Sequence, residues 1–221
     1  MERIFSKETL RDYWIQHPEL EQHLKVWYET VTKSSWKNPN DVKATFANAS
    51  ILKEGRVVFN IKGNSFRLVT RINYEKQWVF IRFIGTHQEY DKKTPTPFEM
   101  EIKPIKTEAD YKRALKRLEV IFDAPVGSSE SDEADILALL IENYENKHFP
   151  IEAPDPIEAI KIRMEQLSLK QNDLADAMGG SNRVSEILNR KRKLTLEMVR
   201  NLTGKLNLSA EVLIQDYKLT V

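Results

Sequence analysis

Cysteine is absent from the 221 residues, which excludes disulfides and thiolate metal sites. Histidine is nearly as scarce. His17, His23, His87 and His148 are widely separated, a poor pattern for zinc, so no metal or other cofactor is expected. No stretch approaches the roughly 18–20 apolar residues that cross a bilayer, and the opening MERIFSKETL lacks an apolar signal core. These absences point to a cytoplasmic protein with no membrane partner.

A net charge is also lacking, at +1, but the charges are unevenly placed. Residues 1–99 carry 16 Lys+Arg against 12 Asp+Glu; residues 100–158 carry 7 against 14; residues 159–221 carry 11 against 7. Two basic ends flank an acidic middle. Basic segments suit phosphate partners, and an acidic one can cover a basic surface in place of nucleic acid; such blocks can also be solvated helix faces. The length suits two small domains better than one.

Along residues 6–34, Leu10, Tyr13, Trp14, Leu20, Leu24, Trp27, Tyr28 and Val31 recur at helical spacing, with Ser6 as the expected N-cap and a break at Pro18. A short third helix is expected from Asn40 to about Phe46. From Arg56 the period changes to two: RVVFNI, FRLVTRIN and QWVFIRFI are β-branched and aromatic runs, separated by Lys62-Gly63-Asn64 and Asn73-Tyr74-Glu75-Lys76. The expectation is an α+β domain over residues 1–93, two helices and then a three-stranded antiparallel sheet. Residues 94–106 hold three prolines and no apolar periodicity, as a linker would.

The remainder is expected to be all-α. Residues 107–153 form an acidic helical segment, with Tyr111, Leu115, Leu118 and Phe122 on one stripe and Ile136, Leu139, Leu140 and Tyr144 on another. Residues 154–221 begin with Asp155-Pro156-Ile157-Glu158, an N-cap, a first-turn proline and a capping-box Glu. Within them, QNDLADAMGGSNRVSEILNRKRKLT has the layout of a helix-turn-helix. Leu174 and Ala175 pack one helix, Gly179-Gly180 make the turn, and Val184, Ile187 and Leu188 anchor a second helix. The exposed side of that second helix carries Ser181, Asn182, Arg183, Ser185 and Glu186, side chains that can reach base edges. The run Arg190-Lys191-Arg192-Lys193 would meet phosphates. A helical hairpin with an exposed basic loop is the plainer alternative.

This stretch resembles the XRE/Cro family in its HigA antitoxin variant, although Lys170 replaces the usual capping Thr or Ser and the turn is one residue shorter than the generic pattern. The resemblance implies that Gln171 contacts DNA backbone, that Ser181, Asn182 and Arg183 face the groove, and that a homodimer formed through this half binds operator DNA. The run FNIKGNSFRLVTRINYEKQWVFIRFIGTHQEYDK in turn resembles the HigB toxins, a branch of the RelE-like, ribosome-dependent mRNA endonucleases. The partner it implies is mRNA on the ribosome, with the toxin-like half neutralised by intramolecular contact with the linked antitoxin.

Metal-free RNA cleavage uses the substrate's 2′-hydroxyl on the adjacent phosphate. It needs a group to take that proton, cations for the extra phosphate charge, and a proton for the leaving 5′-oxygen. In a strand over 66–73, Arg67 and Arg71 project together, opposite Phe66, Leu68 and Ile72. Arg82 sits in an otherwise apolar strand, and His87 and Tyr90 follow just past its end. His87 is the candidate acid or base because its ordinary pKa lies near working pH. Arg67 and Arg82 would stabilise the phosphate, Tyr90 would donate a proton or stack on a base, and Lys62, Arg71 and Lys92 would hold RNA backbone. Each has a bland counterpart: His87 as a structural residue, Arg82 paired with Glu89 or Asp91, Lys62-Gly63-Asn64 as a simple hairpin turn. Trp14, Trp27, Phe59, Trp78 and Phe80 are expected in the core. A DNA-binding regulator whose N-terminal domain has lost catalysis is the competing reading of the whole chain.

Overall fold

A computed structural model describes residues 1–63, 65–86 and 103–220. His87, Tyr90, Lys92 and Asn64 lie outside the described residues.

The N-terminal region forms a five-stranded sheet rather than the expected three strands. The period-two runs become β3 (Arg56–Ile61), β4 (Phe66–Asn73) and β5 (Trp78–Thr86), paired antiparallel. The two additional strands lie at the edges. β1 (Arg3–Phe5) pairs parallel with β5, and β2 (Ser50–Ile51) pairs antiparallel with β3, giving the order β1-β5-β4-β3-β2. At three and two residues they are too short to carry a period.

Helices α1 (Lys7–Gln16), α2 (Glu21–Lys33) and α3 (Pro39–Thr45) follow the expected positions, with a 3-10 turn at Pro18–Leu20. Ser6 holds the expected N-cap position, but its backbone is left-handed, with φ of 68°, and its hydroxyl pairs with the Thr9 hydroxyl instead of capping an amide. These helices cover one sheet face. Leu10, Leu24, Trp27 and Val31 pack there on Val57, Phe59, Leu68, Ile72, Val79 and Ile81.

The other sheet face is covered by α4 (Glu108–Ile121) and α5 (Ser129–His148). Tyr111, Leu115, Leu118 and Phe122 share one core with Phe5, Trp78 and Phe80 of the sheet. The α4 stripe is as expected; that of α5 is not. Leu137, Ala138, Ile141 and Tyr144 are buried, whereas Ile136 and Leu139 are exposed and Leu140 is half-buried.

Helices α6 (Pro156–Gln166), α7 (Ala175–Met178), α8 (Ser181–Leu188), α9 (Leu196–Leu206) and α10 (Ala210–Leu213) enclose a third core, which includes Val26 of α2. Asp155 caps α6 by accepting from the Ile157 and Glu158 amides, but Glu158 does not close a capping box; it pairs with Lys161 and Arg190. Among the described residues no helix is long and apolar enough to cross a membrane.

Candidate functional site: a basic sheet face met by carboxylates

Strand alternation directs Arg67, Val69, Arg71 and Asn73 of β4 away from the α1–α3 core. On β5 the register slips: Val69 pairs with Phe83 and Thr70 with Ile81, leaving Arg82 as the extra residue of a β-bulge. The bulge lets Arg82 and Phe83 both avoid the inner core before Ile84 returns to it. Arg82 therefore shares the outer face with Arg71, and sequence alternation alone could not show the slip.

Carboxylates of α4 and of the turn that follows it meet both arginines. Arg82 pairs with Glu119 at 2.7 Å, with about a fifth of each side chain exposed. Arg71 pairs with Asp123, donates to the Glu119 carbonyl at 3.4 Å, and lies 5.9 Å from the Phe122 ring centre. Asn73 donates to the Phe122 carbonyl at 3.1 Å. Neighbouring cations are matched in the same way: Lys76 with Asp135 at 2.9 Å and Arg3 with Glu142 at 3.2 Å. The acidic middle of the sequence thus lies on the basic first region, as the charge blocks suggest. Arg67, beyond Val69 toward the hairpin end, pairs across the sheet with Asn60 and Gly85. In the sequence Glu119 and Asp123 stand out only as members of an acidic block.

Glu145 of α5 joins the same two regions. Its carboxylate accepts from the Ser6 and Lys7 amides at 2.7 and 3.1 Å and from the Tyr111 hydroxyl at 2.6 Å. It so caps the start of α1 in place of the Ser6 side chain. Burial pushes its pKa up to about 7, against the pull of the Tyr111 hydroxyl, Lys7 and the two amides. The folded chain keeps this proton up to about pH 7, whereas the unfolded chain releases it near 4.5. The contribution is therefore fully present below about pH 4.5 and lost as pH rises through about 7, on the order of 3 kcal/mol in all. Glu145→Gln is expected to remove this part of the fall in urea midpoint between those values. An identical pH slope in wild type and variant would contradict the assignment.

A second group of exposed polar residues surrounds α8. Gly179 and Gly180, with φ of 76° and 118°, join α7 to α8. Ser181, Asn182 and Arg183 are exposed on the first turn of α8, Ser185 is half-buried, and Val184, Ile187 and Leu188 are buried. Gln171 is exposed at the start of a 3-10 turn, Gln171–Leu174. Lys191 is exposed, and Arg192 pairs with Glu186 at 2.8 Å. Arg190 departs from the expected phosphate-facing run: its guanidinium grips Asp155 at 2.8 and 3.1 Å and Glu158 at 3.2 Å, tying the end of α8 to the start of α6.

Residues 20–93 match the family model HigB_toxin, described as the RelE-like toxic component of a toxin-antitoxin system. The mRNA interferase toxin HigB of Escherichia coli strain K12 is 31% identical over 90 residues, covering 40% of this chain and 86% of the relative. The mRNA interferase HigB of Shigella flexneri matches to the same extent. A further mRNA interferase HigB, from Escherichia coli O6:H1, is 26% identical over 93 residues, covering 41% of this chain and 90% of its own. With nearly the whole length of these relatives spanned by its first region, the chain belongs to the HigB family of RelE-like toxins.

Proposed function

We propose that this chain is a latent mRNA endonuclease held inactive by its own second half, which also binds operator DNA. The carrying observation is the acidic cover: Glu119 and Asp123 occupy Arg82 and Arg71 on the sheet face where phosphate charge would be stabilised. In the freed domain, a ribosome-bound mRNA would lie along that face. His87 takes the 2′-hydroxyl proton, the oxygen attacks the adjacent phosphorus, and Arg67 and Arg82 hold the charge that accumulates on the phosphate. The 5′-oxygen leaves with a proton from His87 or Tyr90, and a 2′,3′-cyclic phosphate remains. Lys62, Arg71 and Lys92 hold the flanking backbone. The reading draws its substrate from the mRNA interferases that the first region resembles.

Reversing the cover tests the restraint in the full chain. Glu119→Arg with Asp123→Arg sets like charges against Arg82 and Arg71, and the reversal at Glu119 weighs more because the Asp123 side chain is more open to solvent screening. Growth arrest on induction of the double variant, with wild type tolerated, is expected; a harmless, folded double variant counts against inhibition by this face.

The DNA-binding half is supported by the exposed first turn of α8, where Ser181, Asn182 and Arg183 can reach base edges while Gln171, Ser185, Lys191 and Arg192 meet the backbone. Arg190 is left out of that set, since it serves Asp155. A pair of such helices reads two half-sites, so a homodimer through this half is the working form. Arg183→Ala is expected to weaken binding to the chain's own upstream DNA by about tenfold or more in a mobility shift; undiminished binding removes α8 from the interface.

A further inference from the structure

At the β3–β4 hairpin, Lys62 and Gly63 are both left-handed, with φ of 52° and 67°. Such a turn aims a backbone N–H outward, and turn amides beside cationic side chains are a common anion cradle. Here an anion is already seated: the Glu165 carboxylate of α6 accepts from the Gly63 amide at 2.7 Å. It reaches across from the C-terminal helices to do so, a contact that neither core requires, because Glu165 is exposed on α6. The contact closes one side of a cavity of about 620 Å³ lined by Lys43, Asn48, Asn60, Gly63, Glu165 and Gln166. Beside Phe46, Ala47, Ala49 and Phe59, the lining offers donors that suit phosphate oxygens: the Lys43 ammonium, the N–H groups of side-chain amides and a turn N–H.

The cavity lies at the end of the sheet where Asn60, Arg67 and Gly85 stand abreast across β3, β4 and β5. Asn60, the cross-strand partner of Arg67, lines the cavity, so RNA leaving Arg67 over the β3 edge would reach it. We infer that the Gly63 amide, with Lys43 and Asn48, forms a subsite for an RNA phosphodiester, and that Glu165 stands in it as a phosphate surrogate while the chain is intact. This deepens the nuclease reading and rests on it. It adds a second closure, supplied by α6, at a place separate from the α4 cover.

The test uses the full chain and reads binding, not cutting. Glu165→Ala removes the surrogate, and Glu165→Gln removes its charge while keeping an acceptor. Gly63 is followed by amide NMR while a short single-stranded oligoribonucleotide or inorganic phosphate is titrated. The oligoribonucleotide is expected to move the Gly63 amide in Glu165→Ala and to bind about tenfold or more tighter than to wild type, with Glu165→Gln between them. Adding Lys43→Ala is expected to return most of that gain. A Gly63 amide that stays still in a Glu165→Ala chain with an otherwise native spectrum overturns the inference. So does a response to phosphate with none to the oligoribonucleotide, an adventitious ion only. RNA binding at Gly63 in a protein whose freed domain never cuts would instead sink the nuclease reading and leave the subsite standing.

Discussion

Replacing Arg82 by Ala in the freed N-terminal domain is expected to lower mRNA cleavage by about two to three orders of magnitude, the usual cost of removing one pre-placed donor from a developing oxyanion. Arg67→Ala should act similarly, because both side chains would meet charge that exists fully only in the transition state. Arg71→Ala should be milder, at about tenfold, if its contact is to flanking backbone. The bulge makes Arg82 the more informative of the three. It inserts one residue into β5 opposite the Val69–Thr70 step, and such insertions commonly re-aim a side chain beside an active site. Single-turnover cleavage on programmed ribosomes would check the ranking. An Arg82→Ala domain that cleaves as fast as the parent would show that the arginine serves only to dock α4.

Separation of the two halves carries the other large effect. Residues 1–99 alone are expected to arrest growth where the full chain is tolerated, and residues 103–221 supplied as a second polypeptide should restore growth when produced in excess. The physical basis is the shared core. Phe5, Trp78 and Phe80 are buried only together with Tyr111, Leu118, Phe122, Leu137 and Ile141, and each aromatic ring carries about 150–250 Å² of surface. Once freed, that face becomes an apolar patch beside three arginines, which a monomer seldom leaves without a partner. A covalent link holds the inhibitor at an effective concentration of about millimolar, so rescue in trans must rely on the interface alone. If growth continues with a soluble, folded fragment, the chain is better described as a DNA-binding regulator carrying a toxin-shaped contact surface.

Much of this arrangement was legible in the sequence, and the failures have specific causes. The runs around Val57, Leu68 and Val79 are β-branched and aromatic and bounded by turn residues, so β3, β4 and β5 could be read directly, and alternation along β4 put Arg67 and Arg71 on one face. Tyr111, Leu115, Leu118 and Phe122 are separated by charged residues, so α4 has one possible apolar stripe. Helix α5 has two. Ile136, Leu139, Leu140 and Tyr144 keep helical spacing as well as Leu137, Ala138, Ile141 and Tyr144 do, and only the packed neighbours decide between them. Arg190 was read with its basic neighbours because sequence shows the run and not Asp155, 35 residues earlier. Glu145 and Glu165 were invisible for the same reason: each caps or occupies backbone amides in a distant segment, Ser6 and Lys7 in one case and Gly63 in the other. The acidic block foretold the docking, whereas the atoms that make it specific depend on tertiary contacts.

The claim that one chain carries a nuclease and its restraint is tested most directly by mapping new 5′ ends on cellular mRNA shortly after inducing residues 1–99, the full chain, or the fragment bearing Arg82→Ala. Abundant new ends within translated sequence are predicted for the fragment alone. Intact transcripts in all three, with the fragment folded and present, would contradict the account; so would equal cutting by the fragment and the full chain.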